Sequence, residues 1–104
     1  MVDREPLERL VEELGDDRIH VSAMFGKPAL KDEAGKVFAC LRDDGLVVRL
    51  GRGSPAHAEA LALAGAHLFD PSGKDHPMKD WVTVPPEHSG RWPEFAELAK
   101  AVPR

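Results

Sequence analysis

The chain has 104 residues, enough for one domain with one hydrophobic core and too few for two ordinary domains. Its 42% hydrophobic and 31% charged content is that of a soluble globular protein, and no apolar run nears the roughly 20 residues that cross a bilayer. The formal net charge is -4, with seven acids against three arginines in residues 1–18; without clustered Lys and Arg to track phosphates, direct nucleic-acid binding is not expected.

The first element is a helix capped by Asp3. Leu7, Leu10, Val11 and Leu14 fall at i, i+3, i+4 and i+7, Pro6 lies in the first turn, and Gly15 stops it. From Arg18 the period changes to that of a strand, with Ile19, Val21 and Ala23 alternating against His20, Ser22 and Met24. Gly26 and Pro28 punctuate next, so Lys27 to Lys31 is either an edge strand or a bend returning along the first strand. Lys31-Asp32-Glu33-Ala34-Gly35 is a polar turn.

Gly35-Lys36-Val37-Phe38-Ala39-Cys40-Leu41 and Leu46-Val47-Val48-Arg49-Leu50 form a hairpin about Asp43-Asp44-Gly45. Two registers compete. A two-residue Asp44-Gly45 turn, the preferred one, sets Leu41 opposite Val48 and puts Phe38, Cys40 and Val47 on the reverse side with Arg42 and Arg49. A three-residue loop with a bulge instead groups Phe38 and Cys40 with Leu46, Val48 and Leu50. Either way the hairpin is apolar on both faces, whereas a strand pair with one wet face alternates. Something must cover the second face, and a symmetric dimer is the simplest cover.

Ser54-Pro55 starts a short Ala-rich helix with Ala58, Leu61 and Ala62, ended by Gly65. Ala66 to Phe69 reads as a short strand before the polar loop from Asp70 to Pro77. A last strand carries Met78, Trp81, Val82 and Val84, and a final helix from Trp92 buries Phe95, Leu98, Ala99 and Val102.

No residue cluster specifies a reaction, so no catalytic residue and no cofactor is assigned. Cys40 is the only cysteine, which rules out an internal disulfide or a cysteine zinc cage, and its apolar strand makes it a buried hydrophobe. The acidic start, Met1-Val2-Asp3-Arg4-Glu5, lacks a signal peptide's regions, so the cytoplasm is expected. The best metal-ligand candidates are His67, Asp70, Asp75 and His76, in a loop whose mixed spacing is no ligand signature. Ser54 reads as a cap, and Gly51-Arg52-Gly53-Ser54 as a turn rather than an anion cradle. Lys27, Arg49 and Lys79 with Trp81 would line a groove for an acidic or aromatic ligand if their strands are neighbours. Trp81 and Trp92 read as core rings that are also able to anchor an interface.

The segments Met24-Phe25-Gly26, Gly35-Lys36-Val37-Phe38-Ala39, Asp44-Gly45-Leu46-Val47-Val48-Arg49, Phe69, and Pro77-Met78 through Val84-Pro85 resemble the N-terminal domain of the TfoX/Sxy family, known from a regulator of natural competence. More distantly the chain is similar to the MmcQ/YjbR group. The resemblance covers nearly the whole chain. It implies an α+β, two-layer fold with an antiparallel sheet of five to six strands packed against helices, in the order α-β-β-β-β-α-β-β-α, related to small secretion chaperones that pair as dimers.

The expectation is therefore one domain, 1–104, that is a non-enzymatic protein-interaction or regulatory domain. It would form a homodimer and take a regulatory protein partner, with Phe25, Lys27, Phe38, Arg49, Lys79 and Trp81 as ligand or interface residues. The alternative is a small-ligand or metal-binding protein, which could also be an enzyme, with a cleft near Trp81 and the His67 to His76 loop.

Overall fold

The computed structural model describes residues 5–15, 18–24, 27–42, 44–70 and 77–101. Along it run α1 (Glu5–Leu14), β1 (His20–Met24), β2 (Lys27–Lys31), β3 (Val37–Arg42), β4 (Gly45–Arg49), α2 (Pro55–Leu61), β5 (His67–Phe69), β6 (Met78–Val84) and α3 (Trp92–Lys100). The order of helices and strands is the expected one. A stretch of 3-10 turns that the sequence did not suggest, Pro86–Arg91, joins β6 to α3. The strands make one open antiparallel sheet in the order β1-β2-β3-β4-β6-β5, an α+β fold.

One face of the sheet carries the helices. Leu7 and Leu10 of α1, Ala60 of α2, and Trp92, Phe95, Ala96 and Ala99 of α3 are buried with Leu30, Ala39, Leu41, Leu46, Val48, Val82 and Val84. Gly15, at φ 64°, ends α1 by donating its N–H to the Val11 carbonyl at 3.1 Å. The Asp3 cap and Val102 lie outside the described residues. Leu98, expected inside, is 40% exposed. Trp92, Phe95, Ala96 and Ala99 already fill the i, i+3, i+4, i+7 stripe, and Leu98 sits about 100° round the axis from Ala99.

Ser54 caps α2 as expected: its Oγ accepts the His57 N–H at 3.1 Å and donates to the Leu50 carbonyl at 2.7 Å. The buried side of α2 is His57 and Ala60, whereas Ala58 and Ala62 face solvent. Alanine marks no face by itself. Position is set instead by His57 Nε2, which donates to the Lys79 carbonyl of β6 at 2.8 Å.

Neither expected hairpin register is the observed one. The β3–β4 ladder pairs Arg42 with Gly45, Leu41 with Leu46, Cys40 with Val47 and Ala39 with Val48. Gly45 is thus a ladder residue, not half of the turn. At φ 140° it lies against β6, where a Cβ would collide with the Val84 carbonyl oxygen. The slip of two from the preferred register keeps the faces, so Cys40 and Val47 do lie on the reverse side. Phe38 does not. The β2–β3 pairing steps from Leu30 opposite Ala39 to Lys31 opposite Val37, which leaves Phe38 as a bulge residue that joins the helix-side core. β2 is an interior strand returning along β1, and Pro28 pairs with Ala23 beyond the end of the β2–β3 ladder.

Candidate functional site

The reverse face is built on one row of residues that crosses five strands. Ala29 pairs with Cys40, Cys40 with Val47, Val47 with Thr83, and Thr83 with His67. Ala29, Cys40 and Val47 are small and fully buried, and Phe69 and Trp81 pack with them, flanked by Val37 and Met78. Two large rings over a floor of small side chains thus bury the second apolar face within the chain itself. Among the described residues Leu98, on the helix side, is the one large apolar group left exposed. The cover expected from a second copy is supplied intramolecularly.

Two charges stand where this floor ends. Lys27, two residues before Ala29, and Arg42, two after Cys40, share the face by strand alternation. Both act on Cys40: burial pushes its thiol pKa up, while the Arg42 and Lys27 charges pull the other way. The Arg42 guanidinium carbon lies 5.2 Å from the centroid of the Phe69 ring, within cation–π range. Its Nη1 is sealed from solvent and meets no hydrogen-bond acceptor. Among the described residues, no carboxylate comes within ion-pair distance of Lys27 or Arg42.

Around these groups lies a cavity of about 370 Å³ lined by Lys27, Arg42, Asp44, His67, Phe69 and Asp70. Asp44 Oδ2 is 3.5 Å from His67 Nε2, and His67 Nδ1 donates to the Gly65 carbonyl at 3.1 Å. A larger groove of about 450 Å³ runs on the helix side past Leu10, Trp92, Pro86 and Pro93. Its charged residues, Arg9 and Glu13, are an i, i+4 pair of opposite sign on α1. The reverse-face cavity gathers two cations and two carboxylates, with neither cation within ion-pair distance of a carboxylate among the described residues, so it is the candidate site.

Of the residues singled out from sequence, Lys27 lines this cavity and Phe25 lies outside the described residues. Arg49 stands directly opposite Trp81 across the β4–β6 ladder, two residues along each strand from the Val47–Thr83 pair, and neither lines the reverse-face cavity. Trp81 is 9% exposed and is a packing ring. Lys79 is an exposed side chain whose carbonyl holds His57. Phe38 belongs to the helix-side core. His67 and Asp70 do come together at the cavity, while Asp75 and His76 lie outside the described residues. Among the described residues no three His, Cys, Asp or Glu groups gather as a metal site.

Sequence reasoning missed Arg42, Asp44 and Phe69 as site residues. For Arg42 a signal was present: alternation from Cys40 put it on the reverse face in the preferred register.

The Gly51-Arg52-Gly53 loop does hold an anion, and it is the chain's own. Asp80 Oδ1 accepts the Arg52 N–H at 2.9 Å and Nε–H at 3.2 Å, and the Asp80 carbonyl accepts from Leu50 and Gly51. The Arg52 backbone and side-chain donors hold the Asp80 carboxyl below its ordinary pKa. The ring nitrogens of His57 and His88 bond backbone carbonyls, of Lys79 at 2.8 Å and Ala64 at 2.9 Å, so these imidazoles serve as cross-braces between segments.

No described helix is long and apolar enough to cross a membrane. No family model, no curated protein and no solved structure matches the chain.

Proposed function

We propose that this chain is a non-enzymatic binding domain of regulatory type, as its resemblance to the TfoX/Sxy N-terminal domain implies, and that it recognises an anionic group at the reverse face of its sheet. The observation that carries the reading is the Lys27 and Arg42 pair, two cations on one face that no carboxylate of the described residues meets within ion-pair distance. Such charges attract and orient an acidic partner. Association is assigned to this charged end rather than to an apolar seam between two copies. Histidines engaged by backbone carbonyls, and a cysteine thiol pushed away from its thiolate form, support binding over nucleophilic chemistry.

Affinity capture from the native host with three forms of the chain tests this. A partner retained by the wild type and by Lys36→Glu, at the far exposed turn, but lost from Lys27→Glu/Arg42→Glu, supports the assignment. Retention by all three forms overturns it.

A further inference from the structure

We infer that the reverse-face cavity takes a small α-amino-acid-like zwitterion, its carboxylate held by Arg42 and Lys27 and its ammonium by Asp44 and Asp70. The inference rests on the reverse face being the recognition surface and names the chemical class it accepts. Ligand pockets span roughly 300–1,000 Å³, and the 370 Å³ here suits a ligand of metabolite size.

The lining decides the charge pattern. Two full cations and two carboxylates border one space, with Phe69 as the apolar wall. A dianion such as phosphate would satisfy Arg42 and Lys27 but meet Asp44 and Asp70 as like charges. An amine would meet the reverse. A molecule with one charge of each sign a few ångströms apart satisfies both sides. Arg42 lines the cavity without an ion-paired carboxylate among the described residues, and a guanidinium accommodates a carboxylate's two oxygens well. The Phe69 ring, 5.2 Å from the guanidinium carbon, already restrains that side chain, so less freedom is lost on binding.

Amide chemical shifts of the labelled protein, followed while each common L-amino acid is titrated in turn, test the inference. The expected result is a saturable response for at least one of them, centred on Lys27, Arg42, Asp44 and His67 to Asp70. The N-acetyl and methyl-ester forms of the responder should bind about tenfold more weakly or worse, as should Arg42→Gln and Asp44→Asn variants. Asp44 is exposed, so its variant reports on the ligand even if Arg42→Gln melts early. No response to any amino acid overturns the inference, as does acetate or inorganic phosphate binding there equally well. The latter result would leave the reverse face as an anion-recognition surface, so failure of the ligand class is separable from failure of the surface, which the capture experiment reads on its own.

Discussion

The guanidinium of Arg42 covers the ring of Phe69 at 5.2 Å although β4 and β6 lie between their strands. Three strand spacings amount to about 14 Å in a flat sheet, a gap that the long Arg42 side chain and the Phe69 ring close by reaching toward each other over the reverse face. The ladder is also irregular at Phe69. β5 pairs Leu68 with Val82 and then Phe69 with Met78, passing over Lys79, Asp80 and Trp81, and such irregularities bend a strand.

Phe69 is 3% exposed, so Phe69→Ala should cost about 3–4 kcal/mol in urea unfolding through lost packing. Arg42→Gln should cost about 1 kcal/mol. A double-mutant cycle of the two should show a coupling of about 0.5–1 kcal/mol, the share of the cation–π contact.

Gly45→Ala should lose about 2–4 kcal/mol of stability, because the new methyl meets the Val84 backbone as well as adopting φ 140°. Gly35→Ala provides the contrast. At φ 82° with open space around its Cβ position it should lose only about 1–2 kcal/mol, the conformational cost alone. Chemical denaturation of the pair measures the difference.

Asp80 gives the fold an acid-sensitive term. Its folded-state pKa is depressed, so the stabilisation is complete above the unfolded carboxyl value of about 3.9 and is lost as pH falls through the folded one. Asp80→Asn should melt below the wild type at neutral pH. The gap should close as the solution is taken down through the carboxylate range, and thermal melts across that range provide the check.

Cys40 is buried and its thiol pKa is raised by desolvation. Ellman's reagent should therefore label the native protein slowly at mildly alkaline pH and rapidly once denaturant is added. Fast native labelling would contradict the sealed floor.

Periodicity carried most of the fold. The stripe Leu7, Leu10, Val11, Leu14 and the alternation around Cys40 each produced the right element and face. Two kinds of information were out of reach. Asp44-Gly45 has the composition of a hairpin turn, but Gly45 is required by a strand 39 residues downstream, where the Val84 carbonyl approaches it. Phe38 obeys strict alternation on paper, and only its pairing with β2 reveals the extra residue. The site was partly visible, in Lys27 and His67, yet its other half depends on the strand order that sets β5 beyond β4 and β6, which no local pattern encodes.

The bulge at Phe38 also decides which layer of the molecule its ring fills. Excising Val37 would restore unbroken alternation and carry the benzyl group across to the Cys40 side, opposite Lys31 and at the far end of β3 from Arg42. The helix layer would then keep a void the size of a phenyl ring. One count along a ladder thus apportions an aromatic between two layers, and a single-codon deletion would reverse it without altering any residue that lines the cavity.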